Sequence, residues 1–122
     1  MKTLGVDYGR KKIGLAISEG MLAEPWKVVK VNDFEETIEK TLQILKELRV
    51  DKVVVGVSEG EMGKESKRFA KRIGAEIFDE TLSTYTAQEL SREAKVGRKK
   101  RKNLEDAYAA SVMLQSYLDN YV

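Results

Sequence analysis

The chain has 122 residues, 42% of them hydrophobic and 34% charged, with no Cys and no His. That length and apolar content suit one domain with an ordinary core. The missing residue types exclude disulfides, thiolate nucleophiles, zinc held by nitrogen or sulfur, and any mechanism built on imidazole. Chemistry is left to carboxylates, hydroxyls, Lys and Arg. No run approaches the roughly 20 apolar residues of a membrane span, and the opening MKTLGVDYG meets Asp and Gly too early for a signal peptide. The expectation is a soluble cytoplasmic protein with no membrane partner. The net charge of +2 conceals an asymmetry, because residues 95–102 (KVGRKKRK) carry six Lys or Arg and no acid. The rest of the chain is therefore net acidic. Such a block reads either as a mobile solvated loop or as an arm that contacts phosphate.

In chain order, TLGVDY at 3–8 alternates Leu4 and Val6 against Thr3 and Gly5, and residues 12–18 place Ile13, Leu15 and Ile17 on one face. Both patterns predict strands. Gly9-Arg10-Lys11 between them reads as a tight turn using Gly for a positive φ, giving a hairpin. The other face of the second strand is Gly14, Ala16 and Ser18, small enough for another element to lie close. Residues 26–31 (WKVVKV) predict a third antiparallel strand after a loop containing Pro25. Asn32 or Asp33 then offers an N-cap to a helix reaching about residue 49, with Phe34, Ile38, Leu42, Leu45 and Leu48 as its apolar stripe. The run Val53-Val54-Val55-Gly56-Val57 is the continuous β-branched kind that suits a central strand covered on both faces, parallel to the first. A helix at 64–73, a strand at 75–79, a helix at 84–93 and a helix at 103–120 complete the series. The order βββαβαβαα predicts a five-stranded mixed sheet with helices on both faces.

Three carboxylates fall where such a sheet would gather them. Asp7 ends the first strand, Glu80 follows the strand at 75–79, and Asp106 lies in the first turn of the last helix, three residues after Asn103. Each has an ordinary reading, as a turn Asp, an exposed loop acid and a helix-dipole partner respectively. If the first strand lies beside the strand at 75–79, their carboxyl ends share the edge at which open α/β sheets bind ligands. Ala107, Ala109 and Ala110 would let the last helix approach that edge. Three acids in one crevice need cations between them, and hard oxygen ligands suit Mg²⁺ or Mn²⁺. Two such ions about 4 Å apart serve an in-line displacement at phosphorus. Asp7 would bridge them, with Glu80 and Asp106 completing their shells.

Cations are placed to meet a phosphate substrate. Arg10, Lys11 and Lys12 adjoin Asp7. Lys64, Lys67, Arg68, Lys71 and Arg72 recur at helical spacing, and Lys95, Arg98, Lys99, Lys100, Arg101 and Lys102 precede Asp106. Singly each group reads as a solvated face. Beside an acid cluster they point to a polyanion. Aromatic residues are too few and scattered to indicate base stacking.

The segments LGVDYGRKKIGLAIS, VVVGV with its following Gly-containing loop, IFDETLST and LEDAYAASVMLQSYL resemble the YqgF/RuvX family, over residues 2–120. The resemblance implies a ribonuclease-H-like fold, acidic site residues at Asp7, Glu80 and Asp106, and nuclease activity. That activity would lie in processing of the pre-16S ribosomal RNA end, or on branched DNA in the manner of a Holliday-junction resolvase. The chain departs from the family pattern at Thr81, where Arg is usual after the Glu, and at Val57-Ser58, where Leu-Pro is usual after the Gly. The missing guanidinium bears on catalytic efficiency more than on fold, and it leaves a catalytically weak nucleic-acid-binding protein as a further reading. A sugar-kinase or actin-like phosphotransferase would need a second domain of this kind to clamp its nucleotide. The partner expected is structured or precursor RNA, with branched DNA as the alternative, and the protein itself a monomer or weak homodimer.

Overall fold

The computed structural model describes residues 1–79 and 98–121. Its elements are β1 (Thr3–Asp7), β2 (Lys12–Ser18), β3 (Ala23–Lys30), α1 (Phe34–Leu48), β4 (Lys52–Val57), α2 (Glu61–Ile73), β5 (Glu76–Asp79) and α3 (Arg98–Tyr121). The helix expected at 84–93 lies outside the described residues. The strands form one sheet in the order β3-β2-β1-β4-β5. β1 runs antiparallel to β2 and parallel to β4, which in turn runs parallel to β5. β1 and β5 are thus not neighbours, as the sequence reading supposed, because β4 lies between them. Since all three are parallel, their carboxyl ends still share one edge.

Several boundaries differ from expectation for identifiable reasons. β3 begins at Ala23 and includes Pro25, which an edge strand tolerates because its missing N–H need not meet a neighbour. The β2–β3 pairing slips at Leu15/Ala16, so that Leu15 faces Lys27 and Ala16 faces Pro25, leaving Trp26 as the extra residue of a bulge. Gly60 and Gly74 are the glycines at positive φ among the described residues, and Gly9 is not one of them. Gly9 is needed for space, because a Cβ there would press on the Lys12 carbonyl. Asp33 caps α1 by accepting from the Glu36 N–H at 2.8 Å. The buried side of α1 comprises Thr37, Ile38, Thr41 and Ile44, and Leu42 is exposed. The two buried threonines satisfy their hydroxyls on backbone one turn back, Thr37 on the Asp33 carbonyl at 2.8 Å and Thr41 on the Thr37 carbonyl at 2.7 Å.

The sheet separates two apolar layers. Leu4, Val6, Ile13, Leu15 and Val55 pack with Ile38 and Ile44 of α1 and Phe69 and Ile73 of α2. Ala16, Val54 and Phe78 pack with Ala110, Met113, Leu114, Tyr117 and Leu118 of α3 on the opposite face. Helices on both faces is therefore what the chain builds, and the alternation within β1 and β2 decides which residues meet which helix. Gly5 and Gly14 face α3 and let it sit almost on the strand backbone. A Cβ on Gly14 would overlap the Asp106 carbonyl and stand 2.9 Å from the Ala107 nitrogen, and one on Gly5 would stand 2.9 Å from the Leu114 Cβ. The far end of α3 is fastened by Tyr117, which donates to Glu76 Oε2 at 2.7 Å and accepts from Lys52 Nζ at 3.1 Å.

Two predictions follow from this seating of α3. Gly14→Ala forces the helix off the sheet and is expected to cost about 1–3 kcal/mol. Gly20→Ala, which would meet nothing within 4 Å, is expected to stay within about 0.5 kcal/mol of the parent. Urea midpoints of the two variants check this. Burial, and after it the Glu76 carboxylate, holds the Tyr117 phenol above its ordinary value of 10.0. A proton bound more tightly in the folded protein contributes stability that is complete below pH 10 and lost as pH rises through the raised value. Tyr117→Phe should therefore be less stable than the parent at neutral pH and show a shallower alkaline loss of urea midpoint.

Candidate functional site

Asp7 closes β1 at the carboxyl edge of the parallel strands. By strand alternation it shares the α3 face with Gly5. Its cross-strand partners are Gly14 on β2 and Gly56 on β4, so neither neighbour brings a side chain to its level. Asp106 reaches the same place from the other direction, because the α3 backbone at Asp106 and Ala107 rests on Gly14. Opposed residues in an antiparallel pair lie roughly 5 Å apart, so the strand pairing and the helix seating bring Asp7 and Asp106 together from distant parts of the sequence. Glu80 directly follows Asp79 and lies outside the described residues. Among the described residues no group of three or more acids gathers in a way that could hold a metal ion.

α3 begins earlier than expected. Arg98, Lys99, Lys100, Arg101 and Lys102 belong to its backbone, so this part of the basic block is helix and not loop, and Lys95 lies outside the described residues. Asp106 consequently sits in the third turn, and Asn103 is no cap. Arg and Lys are good helix formers, so a charge run of this kind does not by itself mark a break.

The turn cations divide their attention. Arg10 donates from Nε to Glu65 Oε2 of α2 at 2.9 Å, and this contact holds its guanidinium above the usual range. Glu65 also acts on Tyr8, whose buried phenol is raised first by burial and then by that carboxylate. Tyr8 in turn packs on Phe69 at 4.9 Å between ring centroids. Tyr8, Glu65 and Arg10 therefore form a bracket that fixes the β1–β2 turn to α2. Lys11 is exposed, and its carbonyl accepts from the Val31 N–H at 2.9 Å. Lys12 crosses to α3 and places Nζ 3.0 Å from Asp106 Oδ2.

The basic stripe of α2 is not one surface. Arg72 makes a two-pronged contact with Glu35 of α1, both arms at 3.0 Å, and Arg68 lies over the Phe34 ring at 5.0 Å. Those two cations serve helix packing. Lys64 and Lys67 instead line a groove of about 500 Å³ with Ser58, Gly60, Ile77 and Asp79, at the same sheet edge as Asp7 but on the α2 face. Lys64 also lies 3.6 Å from Glu61. Gly63 permits the tight β4–α2 connection that shapes this groove, since a Cβ there would overlap the Ser58 carbonyl. Sequence reading missed the Tyr8–Glu65–Arg10 bracket and the Lys12–Asp106 pair, which join residues with no periodic relation. The small face of β2 was the one signal that pointed toward the second.

The RuvX family model, described as a Holliday junction resolvase, matches residues 1–120. Relatives from Bacillus cytotoxicus and from a Geobacillus species, each named "Putative pre-16S rRNA nuclease", are 36% identical, covering 98% of this chain and 99% of their own. Among solved structures, the fowlpox virus Holliday junction resolvase superposes with a TM-score of 0.65 at 14% identity, over 100% of both chains. RuvC of T. thermophilus, in complex with a Holliday junction substrate, superposes with a TM-score of 0.61 at 17% identity, over 98% of this chain and 96% of that one. These superpositions carry the ribonuclease-H-like fold, as the sequence led us to expect. On the extent of the family match and the identity of these relatives, the chain belongs to the RuvX family.

Proposed function

We propose that this chain is a metal-dependent nuclease that hydrolyses phosphodiesters in maturation of the pre-16S ribosomal RNA end, with Asp7, Glu80 and Asp106 as its acidic site. The observation that carries this reading is the seating of the α3 backbone on Gly14, which brings Asp106 beside Asp7 at the carboxyl edge of the sheet. The names of the full-length relatives supply the RNA.

The donors suit a hard divalent cation. Carboxylate oxygens are the ligands that Mg²⁺ and Mn²⁺ prefer, and the strands on either side of Asp7 place glycine opposite it. Asp7, Glu80 and Asp106 would hold the ion or ions. Bound there, a divalent ion supplies a means to activate water and charge to stabilise the leaving oxygen. The chain's own cations handle the rest of the substrate. Lys11 and Lys12 at the turn, Lys64 and Lys67 in the groove, and the block Lys95, Arg98, Lys99, Lys100, Arg101 and Lys102 would follow the phosphate backbone. Arg10 contributes its exposed guanidinium while Glu65 fixes its direction. Arg68 is assigned a smaller part, since it lies on Phe34. Such contacts position a nucleic acid without reading its sequence.

A second reading, cleavage of branched DNA, is favoured by the family description and by the two resolvases that share the fold. Thr81, where the family usually carries Arg, favours a weak catalyst that retains binding. On any of these readings we place the activity in a single domain working in the cytoplasm.

Asp7→Asn and Asp106→Asn are expected to abolish metal-dependent cleavage of a labelled RNA spanning the immature 16S end, with the circular dichroism spectrum unchanged and much of the RNA affinity kept. Cleavage retained by either variant contradicts the site. Replacing the six basic residues of 95–102 with Ala should weaken RNA binding across unrelated sequences alike. It should also flatten the dependence of affinity on salt, because each phosphate neutralised contributes to that slope. An unchanged slope in fluorescence anisotropy would remove the block from the binding surface.

A further inference from the structure

Among the described residues, Lys12 is a cation joined directly to a member of the proposed acidic site. Its Nζ lies 3.0 Å from Asp106 Oδ2. The pair is built in by both chains of structure that form the site. Lys12 opens β2 and shares the α3 face with Gly14 two residues on, while Asp106 is held over Gly14 by its own backbone. Arg10, in the same turn, is committed to Glu65. Lys12 therefore compensates the negative charge of Asp106 at this edge.

The pair is also poised for exchange. The side chains are 54% and 33% exposed, and ion pairs in such surroundings are weak because water screens them and both side chains lose freedom. A divalent cation would seek the same carboxylate oxygen with twice the charge and would repel the ammonium. Lysine carries its charge on a flexible four-carbon stem. Gly14, opposite Asp7, is roughly 7 Å along the strand from Lys12, so a released ammonium stays within reach of a phosphate at Asp7.

We propose that Lys12 is an exchangeable counter-ion of the acidic site. It neutralises Asp106 in the metal-free protein, competes with divalent metal for that carboxylate, and once displaced is presented to the substrate phosphate. This rests on the metal-nuclease reading above. The exchange couples the two ligands, because metal frees the ammonium for phosphate and phosphate draws the ammonium from the metal's ligand. By linkage each tightens the other's binding.

The test is Mn²⁺ binding by the intact chain, followed through the resonance signal of free Mn²⁺, for the parent, Lys12→Gln, Lys12→Met, Lys12→Arg and Asp7→Asn, with folding checked by circular dichroism. Removing the competing charge should tighten Mn²⁺ binding about 2- to 5-fold in the Gln and Met variants, the range an exposed pair of this kind carries. Lys12→Arg, which keeps the charge, should bind no more tightly than the parent. In chelator, where Lys12 is engaged with Asp106, Lys12→Gln should leave RNA affinity nearly unchanged, whereas with Mn²⁺ present it should raise KM for RNA more than it lowers kcat. Unchanged or weaker Mn²⁺ binding in both neutral variants, with binding by the parent lost in Asp7→Asn, overturns the role of Lys12 and leaves the metal site standing. Absence of Mn²⁺ binding in the parent and in both neutral variants overturns both readings.

Discussion

The α3 backbone can lie on the sheet only because β2 carries no side chain at Gly14, where a Cβ would overlap the Asp106 carbonyl. This exclusion determines most of what matters in the molecule. It sets the depth of α3, and with it the packing of Ala110, Leu114 and Tyr117 against Ala16, Val54 and Phe78. It also fixes the position of Asp106 relative to Asp7, since Gly14 is the residue that pairs with Asp7 across the hairpin. A helix carried even one methyl group farther out would weaken the α3 layer and separate the two acids. Stability and site geometry are in this way consequences of a single close approach, and the small face of β2 serves both.

The two faces of the sheet divide the labour at the carboxyl edge. On the α3 face stand Asp7 and Asp106, and Lys12 pairs with Asp106. On the α2 face, Lys64 and Lys67 border a groove with Ser58 and Asp79. Between them the β1–β2 turn is held to α2 by Tyr8, Glu65 and Arg10, so the piece of chain that bears Asp7 and the cations around it is braced from below by the core. A polyanion that reaches the acids must cross this edge, and positive side chains approach it from both faces. Charged residues on the outer surface of α2 have a different task, as the contacts of Arg72 with Glu35 and of Arg68 with Phe34 show.

Much of this was legible in the sequence wherever a period of two or of 3.6 carried it. The alternation of Leu4 and Val6 and of Ile13, Leu15 and Ile17 gave β1 and β2 their inner face, the Val53–Val57 run marked a strand buried on both sides, and Asn32 or Asp33 marked the start of α1, with Asp33 the residue that caps it. The small face Gly14, Ala16, Ser18 signalled a close neighbour without identifying it. The failures came where physics acts across distance or where a residue type has two uses. Pro25 reads as a loop but is tolerated on an edge strand. Gly9 reads as a positive-φ turn residue but answers a steric need. The Lys and Arg residues at 98–102 read as a loop but are strong helix formers. The insertion of β4 between β1 and β5 leaves no periodic trace, and neither do contacts such as Lys12 with Asp106 or Arg10 with Glu65. The candidate acids were found by chemistry and by family resemblance together. The approach of Asp106 to Asp7 follows from topology.

The measurement that bears most directly on this account is cleavage of a labelled RNA spanning an immature 16S end, assayed beside a four-way DNA junction, with Mg²⁺, with Mn²⁺ and with chelator. Metal-dependent cutting of the RNA, absent in chelator, is the predicted result. Tight binding of the RNA with no cutting of either substrate in either metal would contradict it and would leave a nucleic-acid-binding protein built on a nuclease fold.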